Sequence, residues 1–234
     1  MLTVDFNRLG INPGDRILDI GCGSGRHTCE AARFENVTAV GIDIHFHEVR
    51  AAKNNLLLQD GLGLTAGRWL TLAADLTDLP FTDRFFDLVI CSEVLEHVPN
   101  QRFALDEMVR VLKPDKNFVV SVPRYWPERI CWRISREYRS TAEGHVRIYK
   151  KTELVRLLEG AGLKHWASHY AHSLHSPFWW LKCLVGPSKK DSTIVDLYHR
   201  FLIWDMMKKP ALTRFLERLL NPVLGKSTVL YLKR

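Results

Sequence analysis

The segment SEVLEHV (92–98) carries two carboxylates and an imidazole, Glu93, Glu96 and His97, at spacings i, i+3 and i+4. One helical turn would bring such positions onto a common face. A group of this kind can take a proton from a hydroxyl. A second constellation is rich in glycine. ILDIGCGSGRH sets Gly21, Cys22, Gly23 and Gly25 between an apolar run and a helical pattern. Glycines there permit a tight turn and let a ligand approach the backbone. The spacing is not the dinucleotide G-x-G-x-x-G, because Arg26 stands at its third position and the third glycine comes one residue early. Three aspartates, Asp19, Asp43 and Asp75, sit in or at the ends of successive apolar runs. An acid just before the glycine loop suits a positively charged amine better than a pyrophosphate. Asp43 can accept from both hydroxyls of a ribose, and Asp75 from an adenine amino group.

These residues need a scaffold that gathers strand ends. RILDI (16–20), VTAVGID (37–43), WLTLAAD (69–75), FFDLVICS (85–92) and NFVVSVP (117–123) read as strands. A sixth is expected near 163–170 and a last one at STVLYLK (227–233). Helical patterns lie between them. HEVRAAKNNLLL is amphipathic, QRFALDEMVRVL places Leu105, Met108, Val109 and Leu112 on one face, and TELVRLLEGAG starts at a Thr152 cap and ends in glycines. Strands separated by helices pair in parallel through right-handed crossovers. Ligands then bind at the carboxyl ends of the strands, where nearly every residue named above falls.

Composition sets the outer limits. The 234 residues fit one large domain, and the formal net charge of +7 favours anionic partners such as nucleic acid or a membrane surface. Five scattered cysteines without a CxxC pair read as reduced thiols, which implies a cytoplasmic protein. The opening MLTVDFNRLG does not read as a signal peptide, and no apolar run reaches the roughly 20 residues of a spanning helix.

Taken in order, LDIGCGSG, GIDI, AADLTDLPF, FDLVICSEVLEHV and MVRVLKP resemble the class I S-adenosylmethionine-dependent methyltransferases of the type 11, ubiquinone–menaquinone kind, over about residues 8–170. The resemblance implies an α/β fold with a seven-stranded Rossmann-like sheet. That sheet is mostly parallel with an antiparallel last strand and has helices on both faces. S-Adenosylmethionine would be the cofactor. Asp19 and the loop of Gly21, Cys22, Gly23 and Gly25 would hold its methionine part, and Asp43 and Ile44 its ribose. Asp75 and Leu76 would bind adenine, and Cys91 and Ser92 would line the floor beneath the sulfonium. In ubiquinone-pathway O-methyltransferases and small-RNA 2′-O-methyltransferases an E-x-x-E-H group and a later histidine hold a divalent metal. By that likeness Glu93, Glu96, His97 and His145 would be catalytic and would bind Mg²⁺, Mn²⁺ or Zn²⁺. The alternative keeps the glutamates as loop struts and His97 as a metal-free base. His45 and His47 read as surface at a helix start. No N-P-P-Y motif follows the fourth strand, which argues against amide or adenine nitrogen as acceptor.

Two segments depart from the alternating pattern. Residues 124–144 are basic and aromatic, and 172–225 form a long helical insertion before the last strand, as a lid or a membrane-facing element. Residues 1–171 and 226–234 would make the core. Only about fifteen residues precede the first strand, so the cover of the acceptor site is expected from the two segments. Tyr125 and Trp126 would contact substrate there. Phe178, Trp179 and Trp180 of HSPFWWLKCLVG would wall an apolar pocket or rest at a lipid interface, with Lys182, Lys189 and Lys190 toward headgroups. The expected function is methyl transfer to a small, apolar or lipid-like acceptor, on oxygen before carbon, by a protein peripheral to the membrane. An RNA 2′-O-methyltransferase and a non-catalytic cofactor-binding partner protein are the alternatives.

Overall fold

The run RILDI forms β1 (Arg16–Ile20) in the computed structural model, which describes residues 2–140, 145–189 and 192–234. The chain continues through α1 (Arg26–Ala31), β2 (Thr38–Asp43), α2 (Phe46–Gly61), β3 (Arg68–Ala73), β4 (Phe86–Ser92), α3 (Gln101–Val111) and β5 (Leu112–Pro123). Beyond β5 come α4 (Tyr125–Ile134), α5 (Arg136–Ser140), α6 (Lys151–Glu159) and β6 (Lys164–Ala171). The segment before the last strand is helical: α7 (His175–Val185), α8 (Thr193–Lys208) and α9 (Ala211–Leu224), followed by β7 (Ser227–Lys233).

The seven strands lie in the order β3-β2-β1-β4-β5-β7-β6. All pairings are parallel except those of β7, which runs antiparallel to both β5 and β6. The strand order reverses between β1 and β4. Connections leave those two strands toward opposite faces, and a crevice opens at their carboxyl ends.

Each face of the sheet has its own core. Leu18, Val89 and Cys91 pack beneath Leu105 and Met108 of α3 and Leu154 and Leu158 of α6. Ile17, Leu88, Ile90 and Val119 meet Ala31 of α1, Leu56 of α2 and the N-terminal Val4, Phe6 and Leu9 on the other. Strand β4 is buried along its whole length, as a strand covered on both faces must be. The expected fold class is the one observed. Details differ: β3 ends at Ala73, so Asp75 lies in the loop beyond it. Helix α6 is capped at Lys150 rather than Thr152, the Lys150 N–H donating to Glu153 Oε2 at 3.4 Å.

Candidate active site

At the end of β1 the chain turns through three glycines of positive φ. Gly21 and Gly25 show why no other residue serves, at φ 63° and 84°. A Cβ on Gly21 would lie 2.2 Å from Val94 Cγ2, and one on Gly25 2.9 Å from the Ala52 Cβ. The Gly23 N–H donates to Asp43 Oδ2 at 3.0 Å, and the His45 N–H to Oδ1 at 2.9 Å. Asp43 thereby ties the loop after β1 to the loop after β2. Each oxygen keeps a second lone pair, so the carboxylate can still accept from ligand hydroxyls.

Between these loops and residues 94–100 lies a cavity of about 780 Å³, enough for a small ligand. Gly21, Asp43, Ile44, Asp75 and Leu76 all line it. Asp75 accepts from the Thr77 N–H and hydroxyl at 2.8 Å each, bonds that hold its carboxyl below the usual range. His45, read from the sequence as surface, lines the cavity as well. It is the N-cap residue of α2 in extended conformation, and its place two residues beyond a strand-end acid is the signal for it.

Six residues expected at the cofactor, Asp19, Cys22, Gly23, Gly25, Cys91 and Ser92, do not line the cavity. Asp19 is 1% exposed and accepts from the Thr28 N–H at 3.0 Å and the Thr28 hydroxyl at 2.7 Å, bracing the first turn of α1. Burial pushes its carboxyl up to about 6, and its Oδ1 has no hydrogen-bond partner. Cys91 is wholly buried in the core beneath α3. The Ser92 hydroxyl pairs with that of Ser121 at 2.8 Å. The buried Cys22 sulfur packs against Gly41, where an added Cβ would stand 3.2 Å from it.

The carboxylate–histidine group is rearranged. Glu93 leaves β4 with a left-handed φ of 57°, and only Leu95–His97 form a single 3₁₀ turn. The expected common helical face is broken there. Glu93 turns back to accept the Ser121 hydroxyl at 2.9 Å, and it lies outside the set whose ligand atoms converge. That set is Glu96, His97 and His145, within 4.8 Å of one another. Glu96 is fully buried with neither oxygen hydrogen-bonded, and burial followed by the charge of Glu93 pushes its carboxyl well above the ordinary range. His97 lines the cavity with its Nε2 4.0 Å from Glu96 Oε1 and its ring centroid 5.0 Å from that of His145.

Glu128, on the buried face of α4, replaces Glu93 as the fourth member. Its Oε1 lies 2.6 Å from His145 Nδ1, and the Tyr138 hydroxyl donates to Oε2 at 3.4 Å. Burial opposes its ionisation, but the bond and charge of His145 outweigh that and hold its carboxyl low. Glu128 sits between buried Pro127 and Cys131. An acid in the apolar stripe of a helix was its only trace in the sequence. With Nδ1 engaged by a carboxylate, His145 keeps Nε2, the arrangement found behind metal-ligating histidines. The donor set therefore fits a divalent cation such as Zn²⁺ or Mn²⁺.

The aromatic residues pack on protein, not on the cavity. Phe178 is buried against Tyr198 and His199 of α8. The Trp180 indole donates to the Pro127 carbonyl at 3.1 Å and lies 5.5 Å from the Trp126 ring. Trp179 lies under Lys182 and Lys226, each 5.2 Å from its centroid. Tyr125 faces Arg129 and Lys150. Of the five, only Trp179 lines a second, smaller cavity of about 200 Å³, which shares Glu93 with the first. Against the expectation that the three rings wall an apolar pocket or rest at a lipid interface, Phe178 and Trp180 pack on protein and only Trp179 borders a cavity. Lys190 lies outside the described residues.

The family profile described as a methyltransferase domain matches residues 3–168. The O-methyltransferase cnsE of Penicillium expansum is 35% identical over 114 residues, 49% of this chain and 40% of that protein. Cycloartenol-C-24-methyltransferase 1 of Oryza sativa subsp. japonica is 31% identical over 147 residues, 63% of this chain and 39% of its own length. The chain thus spans well under two thirds of these relatives. Among solved structures, geranyl diphosphate methyltransferase in complex with its cofactor superimposes at a TM-score of 0.63 with 14% identity, covering 97% of this chain and 82% of that one. The cyclase SpnF superimposes at 0.61 with 20% identity, covering 97% of this chain and 77% of that one, so the likeness in fold does not by itself fix the reaction.

Proposed function

Because the chain belongs to the methyltransferase-domain family and has the class I fold, we propose that it transfers the methyl group of S-adenosylmethionine to a hydroxyl of a small apolar, lipid-like acceptor. One observation carries this reading. The strand-end cavity framed by Asp43 and the glycine loop is also lined by His97, the exposed member of the Glu96–His97–His145 cluster. Cofactor and proton acceptor would therefore face one space, as an in-line displacement at the sulfonium methyl requires.

In this reading Asp43 accepts from the ribose hydroxyls, Asp75 and the Leu76 backbone meet the adenine, and Gly21–Gly25 passes beneath the methionine part. His97 takes the acceptor proton. Beside it, burial and the charge of Glu93 push the Glu96 carboxyl well above its ordinary range. Glu128 fixes His145, whose ring stands beside that of His97. In the alternative to a His97 base, a divalent cation held by Glu96, His97 and His145 would supply Lewis acidity to the acceptor hydroxyl.

The lipid-like acceptor is supported by α9. Leu212, Phe215, Leu216, Leu219 and Val223 lie along one face of that helix, and all are exposed, at 69%, 62%, 36%, 62% and 62%. Exposed Lys208, Lys209 and Arg218 flank them. An apolar stripe edged by cations suits the surface of an anionic bilayer. No helix among the described residues is long and apolar enough to cross a membrane. In this reading α9 is the element that meets the membrane surface. The test is incubation of the protein with deuteromethyl cofactor and a total lipid extract, read by mass spectrometry. A deuteromethyl mass shift in a lipid hydroxyl class is expected, and label confined to the RNA or protein fraction overturns the reading.

A further inference from the structure

His172 directly follows β6 and begins the helical insertion. It holds a left-handed φ of 66°, uncommon for any residue but glycine. Its carbonyl accepts from the His175 N–H at 3.1 Å, and that turn sets the two imidazole centroids 5.7 Å apart. Glu217 reaches them from α9, so that one ligand atom of each residue lies within 4.8 Å of the others.

The polar accounting at this point is incomplete. Glu217 is 8% exposed; its Oε2 accepts from Arg214 at 2.7 Å, while its Oε1 has no partner. His175 Nδ1 is buried and also without a partner. His172 gives Nε2 to the Thr3 hydroxyl at 3.1 Å and keeps Nδ1. An unpartnered buried polar group costs about 1–3 kcal/mol, and two occur here within one cluster. Arg214 is already engaged by Asp205 and Glu217, while Arg26 and Lys226 stand along the adjoining cavity with the histidines. The smaller cavity is lined by both histidines and gives water access to them.

We propose that His172, His175 and Glu217 form a second divalent-metal site, distinct from the Glu96–His97–His145 group, that takes Zn²⁺ with a water from the adjoining cavity as fourth ligand. Two imidazoles and one carboxylate match the preference of zinc, and ligand atoms around a tetrahedral ion stand about 3.4 Å apart on bonds of about 2.1 Å. Rotations moving each ligand atom by roughly an ångström close the site. Its ligands come from the end of β6, the start of α7 and α9. The ion would therefore pin both ends of the insertion to the sheet, and its presence does not depend on the proposed transfer chemistry.

The test uses the full chain stripped by a chelator and titrated with Co²⁺ for its tetrahedral absorption bands, then with Zn²⁺ against a chromophoric indicator. Melting temperature is recorded with and without Zn²⁺. The double variant Glu96→Gln, His145→Asn is expected to keep the cobalt bands and the thermal gain. Added to that double variant, His175→Asn and Glu217→Gln are each expected to lose them, with zinc affinity down about tenfold or more. Circular dichroism and cofactor titration establish that each variant is folded. Glu217→Gln retains an acceptor for Arg214 and decides the matter if His175→Asn does not fold. No tetrahedral cobalt spectrum in the parent chain, bands that survive when Glu217→Gln is added to the Glu96, His145 double variant, or bands lost in that double variant itself would each overturn the proposal.

Discussion

Glu128 Oε1 lies 2.6 Å from His145 Nδ1, and this contact joins α4 to the histidine cluster beneath the cavity. A carboxylate in that position fixes the tautomer and direction of the ring. Glu128→Gln preserves a hydrogen bond but removes the charge. It should lower kcat about ten- to a hundredfold while cofactor affinity, measured by calorimetry, stays unchanged. Parental kcat in this variant would remove Glu128 from the machinery.

Asp43 accepts from two backbone N–H groups in two different loops, so its removal has two effects. Asp43→Ala should weaken cofactor binding about ten- to a hundredfold, the equivalent of about 1.5–3 kcal/mol for hydrogen bonds to a charged group. It should also lower the melting temperature of the ligand-free protein. Asp43→Asn should restore part of both. Cofactor affinity within twofold of the parent in Asp43→Ala would mean that the ribose binds elsewhere.

The legible part of the molecule is the part governed by local rules. β1 and β7 fall where their apolar runs do, because buried parallel and central strands are short continuous hydrophobic stretches. The glycine loop was legible because Gly21 and Gly25 are demanded by sterics that leave no other choice. The cluster at Glu96 was only half legible. Spacing suggested a helical turn, but a left-handed residue at Glu93 breaks the turn, and sequence spacing carries no sign of that backbone state. Glu128 and the His172–His175–Glu217 group depend on contacts across 17 and 42–45 positions respectively, and no local pattern reports such distances. The aromatic run misled for a related reason: its neighbours come from α4 and α8, so composition implied exposure where tertiary packing supplies partners.

Asp19 gives a pH signature. Its folded carboxyl is raised to about 6 by burial, against an ordinary value of 3.8. The folded state thus binds a proton more readily than the unfolded chain between those values. The contribution is present below about pH 4 and is lost as pH rises through about 6. The loss is on the order of 2–3 kcal/mol. Asp19→Asn keeps an acceptor for Thr28 and cannot ionise. Denaturant melts of parent and variant between pH 4 and 7 should diverge, the variant gaining relative stability as pH rises. Parallel curves would show that Asp19 ionises in the folded protein as it does in water.

The exposed face of α9 makes the membrane reading measurable apart from activity. Phe215 and Leu219 are each 62% exposed and one helical turn apart. Replacing both by Glu touches no buried packing, so the melting temperature should move little, within about 0.5 kcal/mol per site. At a bilayer the same change removes two apolar insertions worth about 1.5–3 kcal/mol each. It also places negative charge against anionic headgroups. Co-sedimentation with anionic vesicles should then fall about a hundredfold or more in apparent affinity, while turnover of a detergent-dispersed acceptor persists. Lys208→Glu with Lys209→Glu should weaken vesicle binding less, and in a salt-dependent way, since exposed charges act through a screened field. Vesicle binding that is absent in the parent, or unchanged in Phe215→Glu with Leu219→Glu, would leave α9 without a membrane role and the lipid-like acceptor without its support.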